Sequence, residues 1–222
     1  MNKSNQNCLK PSQEQLNSLL KYYQTGQYVD AEKLSLSITK EFPEHQFAWK
    51  VLAIVLRENG KINESLVASQ KSVQLAPQDS ETHNNLGVTL QVLRRYNEAE
   101  VSYRQAIKFK PDLVEAYNNL GVTLQTLRKY NEAEASYRKA ITIKYDYAEA
   151  HNNLGNILKE LGKLYEAETS FKKSLNIDPT AKKTLTGYGY LLLKLNKHTQ
   201  GLKFISEGQG VIIFTESGLK II

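Results

Sequence analysis

Apolar residues along most of this chain recur three and four positions apart, the spacing of a helix with one buried stripe. Leu86, Leu90 and Leu93 make one such stripe, and prolines at 77, 111 and 179 forbid a helix from continuing through them. The pattern therefore predicts short helices separated by tight turns. It also returns every 34 residues: Asn-Asn-Leu-Gly stands at 84–87, 118–121 and 152–155, and residues 83–116 and 117–150 share 24 of 34 identities without a gap. A period of this length holds one helix–turn–helix unit, which cannot bury its apolar face alone, so neighbouring units must stack.

With the Gly of Asn-Asn-Leu-Gly numbered position 8, six units follow: 12–45, 46–79, 80–113, 114–147, 148–181 and a degenerate unit from 182. Position 4 is then Trp49, His83, Tyr117 and His151, and position 7 is Leu52, Leu86, Leu120 and Leu154. Position 20 is small, as Ala31, Ser65, Ala99, Ala133, Ala167 and Gly201, which lets two helices approach closely. Position 24 is Tyr103, Tyr137 and Phe171, and position 32 is Pro43, Pro77, Pro111 and Pro179, with Tyr145 the exception. Gly87, Gly121 and Gly155 are expected to serve the same close helix contact.

These residues resemble the tetratricopeptide repeat, whose signature runs from an aromatic through Leu-Gly and a distant Ala to an aromatic and a closing Pro. Trp49, Leu52, Ala53 and Leu56 stand as WxxLAxxL, and Leu154, Gly155, Leu158, Gly162, Ala167, Phe171 and Pro179 nearly spell the signature. The central units are similar to the repeats that precede the catalytic part of O-linked N-acetylglucosamine transferases, where Asn-Leu-Gly also recurs. The resemblance implies an all-α fold, a right-handed superhelical solenoid of antiparallel helix pairs spanning residues 12–208. A polar tail, 1–11, precedes it, and an irregular or strand-like apolar tail, 209–222, follows.

In such arrays the first helix of each unit lines a concave groove, and positions 2, 5, 6, 9, 12 and 13 face it. Here position 5 is Asn84, Asn118 and Asn152, position 6 is Asn85, Asn119 and Asn153, and position 12 is Gln91, Gln125 and Lys159. An asparagine amide offers two donors and a carbonyl acceptor, so a row of them can hold an extended peptide by its main chain and read little of its sequence. Position 6 looks like the asparagine ladder of the glycosyltransferase-type repeats. The other reading of these amides is that they bond neighbouring helices or water and keep the face soluble. Lys50 and Arg57 give the N-terminal end of the groove a basic character. Lys50 and Asn85 also match two places of the carboxylate clamp of chaperone adaptors, but Ile54, Glu115 and Asn119 occupy the others, so that clamp is incomplete. Glu81, Glu115 and Glu149 at position 2 favour their helix N-termini.

The net charge of +6 and pI of 9.1 raise nucleic acid as a partner, but the basic residues are scattered rather than striped, as a solvated solenoid surface requires. The single cysteine, Cys8, gives neither an intrachain disulfide nor a metal cluster, and no metal or cofactor is expected. No apolar run is long enough to span a membrane and the N-terminus lacks an apolar signal core, which points to the cytoplasm. His83 and His151 share a position with Trp49 and Tyr117 and read as packing residues. The carboxylate pairs Glu98/Glu100 and Glu132/Glu134 belong to a recurring NEAE at the start of second helices, where negative charge suits the helix dipole. No catalytic motif stands out.

The expectation is a non-catalytic scaffold that binds a protein or peptide, with no nucleic acid and no membrane as partner. The alternative is the substrate-presenting or regulatory arm of a glycosyltransferase or oxygenase whose catalytic part lies elsewhere. The contiguous Val211, Ile212, Ile213 and Phe214 add a third possibility, self-association through the tail.

Overall fold

The computed structural model describes residues 10–210, 212–215 and 218–221; of the last two segments it describes the backbone. Cys8 and Val211 lie outside these residues. The helices are all short, with 12–14 residues each, and come in pairs joined by tight turns: α1 (Gln13–Gln24) and α2 (Tyr28–Glu41), α3 (Gln46–Glu58) and α4 (Ile62–Leu75), α5 (Ser80–Val92) and α6 (Tyr96–Phe109). The pairs α7 (Val114–Thr126) and α8 (Tyr130–Ile143), α9 (Ala148–Glu160) and α10 (Leu164–Ile177), and α11 (Lys182–Lys194) and α12 (His198–Gln209) continue the order. Strand β1 (Ile212–Thr215) then pairs antiparallel with β2 (Gly218–Ile221), Ile212 opposite Ile221. The chain divides into two compact units between Pro111 and Asp112.

Each first helix packs on its own second helix, and α3, α5, α9 and α11 pack also on the second helix of the preceding pair, while successive first helices within a unit touch one another: α1, α3 and α5 in the first unit, α7, α9 and α11 in the second. The core lies between the two layers. Ala31, Ala99, Ala133 and Ala167 are fully buried there, as are Tyr103, Tyr137 and Phe171. The glycine at position 8 is explained by these rings rather than by backbone contact alone. A Cβ on Gly87 would stand 2.6 Å from the Tyr103 ring, one on Gly121 2.5 Å from Tyr137, and one on Gly155 2.9 Å from Phe171.

The turn inside each pair has one recurring conformation. Position 15 is left-handed in all six, as Gly26, Gly60, Arg94, Arg128, Gly162 and Asn196, with φ between 59° and 79°. The next N–H reaches back to the carbonyl five residues earlier, as in Lys61 to Leu56 and Arg95 to Leu90, and so satisfies a carbonyl that the helix end leaves open. The turn between pairs is held by the ring at position 4. Trp49 Nε1 donates to the Pro43 carbonyl at 2.8 Å, and the Nε2 atoms of His83 and His151 approach the carbonyls of Pro77 and Tyr145 at 2.9 Å. A carbonyl can only accept, so Nε2 carries the proton in both histidines. Tyr145 thus makes the same turn as the prolines.

Ion pairs stitch one helix pair to the next at a spacing of 29 residues. Glu32 accepts from Lys61 at 2.6 Å, Glu134 from Lys163 at 2.9 Å, and Glu168 lies 3.3 Å from Lys197. Arg138 joins Glu134 to Glu166 as well. The second-helix carboxylates Glu32, Glu134 and Glu168 therefore act between repeats, beyond the helix-dipole role that the sequence implies. The Lys61 hydrogen bond, opposed by burial and aided by Asn59, holds the Glu32 carboxyl below its usual range.

Candidate functional site on the face of the first helices

The candidate residues all sit on first helices, so the period of the sequence places each at an equivalent turn. In the first unit they are tied up to different degrees. Lys50 on α3 donates to Glu81 at 2.6 Å and to Asp79 at 3.2 Å. Asp79 also caps α5 by accepting from the Glu81 and Thr82 backbone N–H groups, and Gln46 donates to it at 3.1 Å. Lys50 is thereby neutralised by its own chain. Arg57 pairs with Glu58 through Nη2 at 3.2 Å, and its Nη1 is buried without a hydrogen-bond partner. Gln91 accepts from the buried Tyr103 hydroxyl at 2.8 Å. Asn84 and Asn85 are half-buried on α5.

The second unit brings the amides together. Gln125 accepts from the Tyr137 hydroxyl at 3.1 Å, repeating the bond between Tyr103 and Gln91. Burial pushes both phenols well above their ordinary range, so each remains a donor at any ordinary pH. Asn118 is 1% exposed and Asn152 7% exposed, too enclosed to reach a ligand directly. Both orient Asn153 instead. Asn153 Nδ2 donates to Asn118 Oδ1 at 3.1 Å, and Asn153 Oδ1 accepts from Asn152 Nδ2 at 3.2 Å. An amide has two N–H groups and two carbonyl lone pairs, so these bonds fix the Asn153 side chain and leave one donor and one acceptor site on it. Asn119 is half-buried on α7.

Asn153 is also the wall between two pockets. One, of about 490 Å³, is lined by Val122, Gln125 and Asn156; the other, of about 500 Å³, by Glu149, Asn152, Lys183 and Thr184. The site is concave and amide-lined. One of its determinants, the bond from a position 24 hydroxyl to position 12, was not among the sequence expectations, although it follows the repeat register. The bond from Asn153 to Asn118 is a pairing between neighbouring helices of the kind that the other reading of these amides named. Among the described residues no cluster of His, Cys, Asp and Glu could hold a metal ion, and no helix is long and apolar enough to cross a membrane.

Family models described as tetratricopeptide repeat match residues 113–144 and 148–181, and one described as TPR repeat matches 95–127 and 129–162. A comparison with the curated proteins found no match. Among solved structures the chain is similar to PilW, described as a widely conserved type IV pilus biogenesis factor, at 18% identity, with a TM-score of 0.81 over 90% of this chain and 94% of that one. It is similar to PilF of Pseudomonas aeruginosa at 22% identity, with a TM-score of 0.68 over 75% and 76% of the two chains. The third is YrrB, described as a TPR protein with an unusual peptide-binding site, at 18% identity, with a TM-score of 0.64 over 78% and 90%. These likenesses speak for an all-helical repeat fold, and with the family matches they establish residues 95–181 as tetratricopeptide repeats.

Proposed function

We propose that this chain is a non-catalytic scaffold that holds an extended segment of a partner protein against the face of its first helices. The reading rests on one observation above the others: Asn153 is fixed by two side-chain bonds, lies between two pockets, and keeps one donor and one acceptor for a ligand. That pair of groups matches the N–H and C=O of a peptide unit, and its fixed orientation lowers the entropy cost of binding. Asn85 and Asn119 stand at the same position of their units, so they carry the same role in this reading, with Asn84, Asn118 and Asn152 as positioning residues. Gln91 and Gln125 serve the fold through their tyrosine partners, and Lys50 through its acidic ones. The peptide-binding site described for YrrB, a chain of like fold, supports the choice of a peptide as ligand.

The test is selection of short random peptides by the full-length chain, followed by affinity measurement with the Asn85→Ala, Asn119→Ala, Asn153→Ala triple variant. Weaker binding with unchanged helicity by circular dichroism is expected. Equal affinity for parent and variant would remove the main-chain ladder.

A further inference from the structure

In the second unit Asn152, Asn156 and Lys159 follow one another at spacings of four and three on α9. The side of α11 that meets them carries no side chain at Gly187: Asn156 Oδ1 lies 3.3 Å from where a Cβ on Gly187 would stand. Asn156 Nδ2 donates to the Asn152 carbonyl at 3.2 Å, and Lys159 Nζ reaches Asn156 Oδ1 at 3.4 Å. Lys194 stands two turns beyond Gly187 on the same stripe of α11, near enough for its charge to act on Lys159. Burial chiefly, with Lys194 assisting and Glu160 opposing, lowers the pKa of the Lys159 ammonium. Neither lysine forms an ion pair among the described residues, and Glu160 is exposed beyond pairing distance.

A lysine at this place has a reason that the preceding repeats supply. Position 12 is Gln91 and Gln125 where position 24 is a tyrosine, because the buried hydroxyl needs an acceptor. Facing Lys159 in register is Phe171, which has no hydroxyl. Position 12 is released from that duty in this repeat, and it carries a half-buried cation instead. The half-buried Lys159 ammonium has no ion-pair partner, only the longer-range attraction of Glu160, which exceeds the repulsion from the exposed Lys194. A ligand carboxylate gives it a direct counter-charge.

We propose that the corner formed by Asn156, Lys159 and Lys194 between α9 and α11 takes the carboxylate of an Asp or Glu side chain in the segment bound along the first helices. This rests on the peptide-binding reading and narrows it. Asn153, six residues before Lys159, takes the main chain, and the two lysines read one acidic position beside it. The register of the bound segment is then fixed by charge, while the amides tolerate its sequence.

The experiment uses the full-length chain and short random peptides joined to their carrier through the C-terminus, so that side chains supply the carboxylates. The parent is expected to enrich Asp or Glu at one position. The Lys159→Met, Lys194→Met variant should lose that preference and bind the selected peptides on the order of tenfold more weakly. A second variant, Lys159→Gln with Phe171→Tyr, restores the pair seen in the preceding repeats, keeps the core satisfied, and should lose the preference in the same way. Peptides selected without an acidic preference, or with one that survives in both variants, would overturn this assignment and leave the peptide-binding reading standing. Selection of no peptide at all would overturn both. An acidic preference that arises only with free peptide C-termini would assign the corner to a terminal carboxylate and overturn the side-chain assignment.

Discussion

The Tyr103 ring lies on the α-carbon of Gly87, with ring atoms 2.6–2.9 Å from where a Cβ would stand. Size is exchanged between these two positions along the chain. Position 8 and position 24 are Leu19 and Ser35, Ala53 and Ser69, Gly87 and Tyr103, Gly121 and Tyr137, Gly155 and Phe171, and Gly189 and Ile205. In five of these six pairs a large residue on one helix is answered by a small one on its partner, which keeps the space between the layers filled, while Ala53 and Ser69 are both small.

Gly87→Ala and Gly121→Ala set two effects against each other. Alanine gains about 1 kcal/mol of helix propensity, and overpacking costs about 1–3 kcal/mol. The overpacking falls at the upper end, since each ring is fully buried and meets the new methyl with three atoms. A net loss of about 2 kcal/mol is expected from urea unfolding. Gly155→Ala should cost less, because Phe171 stands 2.9–3.0 Å away. Equal losses at all three sites would argue against the ring contact as the cause.

Arg94 and Arg128 hold left-handed backbone at a position where other repeats have glycine. That conformation costs a non-glycine residue about 1–2 kcal/mol, and both side chains are exposed. Arg94→Gly and Arg128→Gly should each stabilise the fold, by roughly 0.5–1 kcal/mol after the added chain entropy of glycine is counted. A higher Tm for both variants is the expected reading.

Asn153→Ala removes the donor that satisfies Asn118 Oδ1, an atom of a side chain only 1% exposed. Leaving a buried acceptor without its donor costs about 1–3 kcal/mol. The variant should unfold at correspondingly lower urea, and Asn153→Ala combined with Asn118→Leu should recover part of the loss. Additive losses in the double variant would count against the bond.

The Glu32–Lys61 pair makes stability depend on acid in a definite direction. The folded carboxyl is held below its unfolded value, so its contribution is complete above the ordinary carboxylate pKa of about 4.3 and is lost as pH falls through the lower folded value. In Lys61→Met the hydrogen bond and charge of Lys61 are gone, and burial is opposed only by the hydrogen bond from Asn59. Parent and variant should therefore differ most near neutral pH and converge in strong acid, as followed by unfolding at a series of pH values. A difference independent of pH would remove Glu32 as its source.

Much of the fold was legible because the repeat states its own register. Once Gly87, Gly121 and Gly155 are aligned, the helix pairs, the proline-bounded turns and the row of amides follow by counting. The left-handed turn was harder to see, since arginine at 94 and 128 and asparagine at 196 hide a position that glycine announces elsewhere. The bond from Tyr103 to Gln91 escaped because a groove-facing amide and a core tyrosine look unrelated until the second helix folds back. The clue was present in the paired change to Phe171 and Lys159. The ties between repeats at a spacing of 29 residues were likewise masked, because the same glutamates satisfy an electrostatic preference at the start of their own helices. The tail was foreseen as irregular or strand-like, without the antiparallel pairing of β1 and β2.

The exchange of bulk between positions 8 and 24 is completed inside each helix pair. A 34-residue cassette can for that reason be transplanted or duplicated whole, whereas recombination within the intervening turn would join a tyrosine to a leucine, or a glycine to a serine, and leave either a collision or a void. Crossovers that build new arrays from this chain should fall at the proline side of each segment.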